Sequence, residues 1–304
     1  MGPASMIWFA PRAFSVAGLA ATAVILRTLY TQFRIIANEF RASPASELST
    51  KPDSVGIPLL REIFLRSADG LRLAGWYVPS RNRAAVVVTH GTNADRASML
   101  DEVRILADAG FGVLTFDWPG EGRSDGRVRW SASERLALTA AVNWLASCPE
   151  VDAHRIGGLG FSKGAYLMAQ VAAQDRRLRA VLLAAAPPDF AEYARWVNRR
   201  LGFLSWLPSM WALRRAGMQA GESRPLDVIG DISPRPILLL GGGTDEVVPE
   251  SMTRRLFAAA REPKSLWIIP DAGHGGYAGL TPEYATQLVQ FFGHSLTEPE
   301  SSGG

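Results

Sequence analysis

The sequence predicts an α/β protein: a mostly parallel sheet with helices on both faces and a helical cap inserted above the strand ends. Three observations carry this. From Ala84 onward, short continuous apolar runs alternate with helical patterns, as expected of strands covered on both faces. One such run enters Gly160-Phe161-Ser162-Lys163-Gly164, and a helical pattern leaves it. Between Pro187 and Pro236 the alternation stops, and a stretch rich in aromatics and arginines takes its place.

At 304 residues the chain holds one large domain plus a short appendage, and 47% hydrophobic content is ample for its core. The net charge is +3 with no dense basic block, so no nucleic-acid partner is expected. A single cysteine, Cys148, excludes an intrachain disulfide and a cysteine metal cluster. It reads as a small buried hydrophobe.

The chain opens on a segment unlike the rest. Ala13 to Leu26 is uncharged and apolar, bounded by Arg12 and Arg27. As a helix this run spans about 21 Å, short of a ~30 Å hydrocarbon core. Met6-Ile7-Trp8-Phe9 before it and Leu29 to Ile36 after it extend the apolar length. No small-x-small cleavage site follows. Residues 1–41 are therefore expected to form an uncleaved membrane anchor, with a cleaved signal or an extra soluble helix as the alternatives. Arg27, Arg34 and Arg41 follow the run, against Arg12 and the α-amino group before it. That count leans the catalytic domain toward the cytoplasmic face.

Residues 42–58 are polar and read as a linker with some extended structure. The main domain is expected over 59–296, and 297–304 as a disordered tail. Glu62 to Arg66 and Leu71 to Val78 are β-like runs around Asp69-Gly70, a hairpin signal. Strands are expected at Ala84 to Thr89, Gly112 to Phe116, His154 to Phe161, Ala180 to Ala185, Ile237 to Leu240 and Leu266 to Ile269. Ser131 with Glu134 three residues on is a capping box for a helix reaching Ser147. Residues 188–232 form the cap. Trp196, Phe203, Trp206 and Trp211 are its candidate substrate-lining residues, on the reading that an aromatic lid lines an apolar pocket. The alternatives are bilayer contact by Trp206 and Trp211, and a hairpin that merely packs on the domain.

The chemistry centres on Ser162. Gly-x-Ser-x-Gly between strand and helix makes a sharp turn that exposes the hydroxyl, and the glycines avoid collisions there. A serine hydroxyl needs a base, and the chain has four histidines. His274, in Asp271-Ala272-Gly273-His274-Gly275-Gly276 after the last strand, is the candidate general base. His90 is expected to orient its own loop. Asp245, after the run Ile237 to Leu240, is the carboxylate expected on the histidine, with Glu246 as competitor. The backbone N–H groups of Lys163 and Thr92 are the candidate oxyanion donors. Asn93 reads either as a substrate contact or as a turn residue. Asp117 reads as structural. The histidines are too scattered for a metal site, and Gly241-Gly242-Gly243 lacks the Gly-Lys-Ser/Thr of a phosphate loop. No cofactor is expected.

His90-Gly91, the Asp117…Gly120…Gly122…Ser124 turn, the Gly160–Gly164 elbow, Asp245 and His274 together resemble the α/β-hydrolase superfamily. The resemblance covers about residues 60–296, and within it the dienelactone-hydrolase-like and serine-aminopeptidase-like esterases, including membrane-anchored members, look most similar. It implies an eight-stranded, mainly parallel sheet, the α/β-hydrolase fold, and hydrolysis through an acyl-enzyme. A serine nucleophile separates the chain from the dehalogenase and epoxide-hydrolase branches, which use aspartate. Lys163 after the serine also occurs in acyl-CoA thioesterase-like members. The expected activity is hydrolysis of esters of apolar, small-molecule or lipid-like acyl groups. Thioesterase, peptidase and acyltransferase share the machinery, and a non-catalytic binding protein on the same scaffold is the rival of another class.

Overall fold

The computed structural model of the protein describes residues 12–50, 52–218 and 224–297. The apolar residues before Arg12 and, of the tail expected at 297–304, all but Thr297 lie outside the described residues. The chain begins with α1 (Arg12–Asn38) and the one-turn α2 (Glu47–Thr50). Then come β1 (Arg61–Arg66), β2 (Arg72–Val78), β3 (Ala85–Thr89), α3 (Leu100–Asp108), β4 (Gly112–Phe116) and α4 (Ala132–Ala146). Next are β5 (Ile156–Phe161), α5 (Lys163–Gln174) and β6 (Leu178–Ala184). The inserted segment carries α6 (Phe190–Val197), a 3-10 stretch at Arg199–Ser205, α7 (Trp206–Ala216) and α8 (Pro225–Val228). The chain closes with β7 (Ile237–Gly242), α9 (Glu250–Ala259), β8 (Lys264–Ile269), α10 (Tyr277–Leu280) and α11 (Glu283–Leu296).

The strands form one eight-stranded sheet in the order β1-β2-β4-β3-β5-β6-β7-β8. β2 pairs antiparallel with both neighbours, and every other pairing is parallel. The expected hairpin closes at Ser67, whose N–H donates to Leu71 O at 3.0 Å, and Gly70 supplies a φ of +85°. Strand β3 is buried at every residue, as its unbroken apolar run requires. One apolar layer packs α4, α5 and α9 on the sheet through residues such as Leu138, Leu167 and Leu256. The other packs α3 and α11 through Leu106, Leu288 and Phe292. The parallel strands therefore end on a common edge, where the loops after β3, β5, β7 and β8 meet.

Two expected boundaries are corrected. The N-terminal segment does not stop at residue 41 as a separate unit. Val16 and Leu19 on α1 are 69% and 71% exposed, but Ile36 is fully buried in the main core. The Phe33 ring meets Trp211 edge-on at 5.3 Å, and the Phe40 ring lies 6.2 Å from Phe190. Residues 33–40 thus pack into the main domain, because an apolar stripe at 33, 36 and 40 faces one side of the helix.

The expected linker at 42–58 is docked too. Gly122 N–H donates to Ser43 O at 2.8 Å, Ser46 N–H to Asp95 Oδ2 at 2.6 Å, and Arg96 Nη2 to Ser49 O at 2.6 Å. Val55 and Ile57 are buried in the second layer. Its polar composition reflects backbone anchoring by hydrogen bonds.

Docking predicts two different outcomes for shortened chains. A chain starting at Thr31 keeps Phe33, Ile36 and Phe40 and should melt within a few degrees of the full chain. One starting at Ser43 loses all three, about 3–6 kcal/mol of apolar burial, and should melt well below it or aggregate. Thermal denaturation decides, and equal melting of the two would show that the docked turns contribute nothing.

Candidate active site

Strand β5 delivers Ser162 to the edge of the sheet, and α5 begins at the next residue. Ser162 has φ 52° and ψ −116°, and it is 7% exposed. Its N–H donates to Ala184 O at 2.9 Å, which ties the turn to β6. The flanking glycines are required by contact. A Cβ on Gly160 would lie 2.6 Å from the Ala165 backbone, and one on Gly164 would lie 2.6 Å from Thr89 O. The loop after β3 is equally close, since a Cβ on Gly91 would meet Ser162 Cβ at 3.2 Å.

His274 sits in the loop after β8 and spans the gap between serine and acid. Its Nε2 lies 3.1 Å from Ser162 Oγ, and its Nδ1 lies 2.8 Å from Asp245 Oδ2. A proton on Nδ1 donates to the carboxylate and leaves Nε2 as acceptor toward the hydroxyl. Asp245 has a buried side chain, and its Oδ1 accepts from the N–H groups of Val247 and Val248, both at 2.8 Å. Glu246, the competitor, is exposed. The Phe161 ring packs 5.0 Å from the imidazole and limits its rotation.

The other histidines separate cleanly. His90 is fully buried, and desolvation pushes its pKa down to about 3, so its ring is neutral. Its Nδ1 lies 2.8 Å from Gly91 O, and its Nε2 accepts from Trp118 N–H at 3.3 Å. Those bonds hold the loop after β3 in place, as expected. His154 and His294 are exposed. Asp117 is a loop anchor as well: its carboxylate accepts from Arg96 N–H and Arg123 N–H, both at 2.8 Å, and pairs with the buried Arg96 guanidinium.

The two candidate oxyanion donors lie on either side of the serine. Lys163 opens α5, so its N–H has no acceptor within the helix. Thr92 follows Gly91, at the point where that loop touches Ser162. Asn93 is exposed with φ +54°, which resolves it as a turn residue. Its N–H donates to Glu121 Oε1 at 3.0 Å.

Two carboxyls here were not expected from the sequence. Glu121 is fully buried, with Oε2 3.4 Å from the buried Lys163 ammonium; Glu134 Oε1 is 3.8 Å from the same ammonium. Burial raises the Glu121 pKa to about 7, against the lowering pull of Lys163. Glu134 is the capping-box residue of α4, so the box also serves the site. The second is Glu39, at the end of α1. It faces the side chains of Thr92 and Tyr193 and feels the charges of Lys163 and His274. The stripe at 33, 36 and 40 was the available signal for it, because a helix docked by those residues also brings residue 39 inward.

The cap is helical as expected, but its aromatics divide. The Trp196 indole N–H donates to Glu246 O at 2.9 Å, beside the acid. Trp211 packs on Phe33 of α1. Phe203 and Trp206 are 90% and 56% exposed and turned to the outside, which corrects the expectation that they line a pocket over the serine. They sit on the 3-10 stretch and the first turn of α7, whose buried face is carried by Pro208, Ser209 and Ala212 instead.

Comparison with known proteins bears on the fold and family. The uncharacterised protein Rv2307c of Mycobacterium tuberculosis is 31% identical over 265 residues, 86% of each chain. The uncharacterised protein YfhR of Escherichia coli K12 is 31% identical, over 68% of this chain and 70% of its own. Among solved structures, the Pyrococcus furiosus esterase Pf2001 shares the fold, with a TM-score of 0.69 at 20% identity, over 84% of this chain and 98% of its own. Residues 23–233 match the X-Pro dipeptidyl-peptidase (S15) family. That match spans well over half of the sequence, and the chain belongs to this family and, with it, to the α/β-hydrolase superfamily of serine hydrolases.

Proposed function

We propose that the protein hydrolyses carboxylic esters of apolar acyl groups through an acyl-enzyme. The observation that carries this is the continuous line from Ser162 Oγ through His274 to Asp245, at 3.1 and 2.8 Å. In this reading His274 Nε2 takes the hydroxyl proton as Ser162 attacks the carbonyl carbon. The same proton then passes to the leaving oxygen as the ester bond breaks. Asp245 holds the tautomer and stabilises the imidazolium. The N–H groups of Lys163 and Thr92 take the negative charge of the tetrahedral intermediate. Water, activated by the same imidazole, releases the acid and restores the serine. No step needs a cofactor.

Peptide-bond cleavage is the second reading, favoured by the S15 family match. The serine, imidazole and oxyanion groups would serve it unchanged, with His274 protonating a leaving amine. The described fold also supports a membrane-anchored reading. α1 is the one described helix long and apolar enough to cross a bilayer, over Val16–Asn38. It continues unbroken into turns that are packed in the domain, which favours an uncleaved anchor over a removable signal.

Glu121 has a positioning role in this scheme. It accepts from the N–H of Asn93, next to Thr92, and pairs with the side chain of Lys163. One carboxyl thus braces both oxyanion positions.

Three outcomes are expected. Ser162→Ala should lower kcat by about 10⁴-fold or more and abolish fluorophosphonate labelling, with the melting temperature unchanged; residual activity near wild type would sink the mechanism. Asp245→Asn should cost about 10⁴-fold in kcat, whereas Glu246→Gln should leave ester turnover within twofold. Turnover of p-nitrophenyl butyrate by both variants checks this.

Glu121→Ala should lower kcat by about 10²-fold with little change in KM, and Glu121→Gln, which can still accept from Asn93 N–H, should lose less. Stability gives a second readout. The Glu121 pKa is raised in the folded protein, so between pH 4.5 and about 7 the unfolded chain has released a proton that the folded one keeps. This group therefore makes stability fall as pH rises through that window. Melting curves across it should show a shallower fall for Glu121→Gln than for wild type.

A further inference from the structure

The docked end of α1 brings into the site a group that the triad chemistry does not use. Ile36 is buried in the core and Phe40 lies against Phe190, so residue 39 is held between two anchored positions. The turn is fixed by Glu39 N–H donating to Ile36 O at 3.1 Å and Phe40 N–H donating to Ala37 O at 3.2 Å. The Glu39 carboxyl faces the side chains of Thr92, on the oxyanion side, and Tyr193, on α6. His274 and Lys163 are close enough for their charges to act on it. The carboxyl is within hydrogen-bonding reach of both side chains, but its covered Oε2 has no partner of good geometry. Leaving such an atom unpaired is unfavourable. A buried polar atom without a partner calls for an explanation, and a ligand that completes it is one.

We propose that Glu39 is a specificity-determining residue of this site, and that its carboxyl hydrogen-bonds a neutral hydroxyl group on the substrate that Ser162 attacks. The inference rests on the serine-hydrolase reading and adds a polar recognition point to it. Chemistry selects the hydroxyl. Burial raises the pKa of Glu39, so its surroundings disfavour a fixed charge there. Lys163, whose charge acts on Glu39, already faces Glu121 and Glu134 and is poorly placed to neutralise a third carboxylate. An anionic substrate group would meet this excess of acid. An ammonium would demand the ionised carboxyl that burial disfavours. A hydroxyl donates and accepts, so it satisfies the carboxyl in either protonation state.

The test uses the full chain in detergent with matched p-nitrophenyl esters of butyric, 2-hydroxybutyric, 3-hydroxybutyric and 3-aminobutyric acids. Wild type, Glu39→Gln and Glu39→Leu are compared, each checked for fluorophosphonate labelling at Ser162. The expected result is a kcat/KM at least tenfold higher for one hydroxy ester than for the butyrate, carried mainly by KM. Glu39→Leu should reduce that ratio to within twofold while still labelling, and Glu39→Gln, which also donates and accepts, should keep part of it. An unchanged ratio in Glu39→Leu would overturn the proposal, as would a preference confined to the amino ester. If Glu39→Leu fails to fold, an unchanged ratio in Glu39→Gln together with equal loss on all four esters overturns it as well. Absence of labelling in wild type would remove the serine-hydrolase reading itself, and the proposal with it.

Discussion

The rest of the structure depends on holding Ser162 in a backbone conformation that a serine seldom adopts. A φ of 52° with ψ of −116° lies outside the regions open to ordinary residues. Such strain costs on the order of 1–3 kcal/mol and persists only where the surroundings over-determine it. Here β6 takes the serine N–H, and the first turn of α5 takes its carbonyl through Tyr166 N–H at 3.0 Å. Gly160 and Gly164 let α5 and the end of β3 close to contact distance. The closely packed parallel strands are thus the clamp that keeps a hydroxyl raised above the sheet edge.

The clamp fixes the serine but not the loops around it, and apolar packing is a poor tool for loops. Their backbone N–H groups need acceptors, and apolar side chains supply none. Buried carboxylates fill this need. Asp117 takes the N–H groups of Arg96 and Arg123, and Glu121 takes that of Asn93. Each also has a buried cation, Arg96 for the first and Lys163 for the second. Buried ion pairs of this kind are weak evidence for stability, because desolvation offsets most of their attraction. What they contribute is register. The loops after β3 and β4 are tied together and then to α5, and the groups around the serine keep their spacing.

This division explains what could be read in the sequence. The order Ser162, Asp245, His274 was legible because each residue follows an apolar run, and runs of that kind mark strands that end on one edge. The hairpin at Asp69-Gly70 and the capping box at Ser131 were legible because their signals are local. Glu39 and Glu121 were not, since their roles arise from contacts between residues far apart in sequence, Glu121 with Lys163 and Glu39 with Thr92. The apolar residues of α1 also masked two environments under one composition. Val16 to Leu26 and Phe33 to Phe40 look alike as a list, but only the second meets the domain core, through Ile36 and the contacts of Phe33 and Phe40. In the cap, aromatic content suggested a lining, yet Phe203 and Trp206 point outward while small residues of α7 make the inward contacts.

An unbroken helix joins these two environments, and that has a mechanical consequence. Val16, Leu19, Val24 and Leu26 form a contiguous apolar surface that is 60–71% exposed. A patch of this kind is unfavourable in water and is relieved by a bilayer or a partner surface. On the anchor reading, the helix leaves the lipid near Tyr30 and reaches Glu39 after about 14 Å of further rise. Glu39 faces Thr92, so on that reading the candidate site sits about two headgroup layers beyond the hydrocarbon. α7 packs along the same helix through Trp211 and Phe33, and its exposed Trp206 lies one and a half turns before that contact. The anchor, the cap and the oxyanion loop are then parts of one rigid connection.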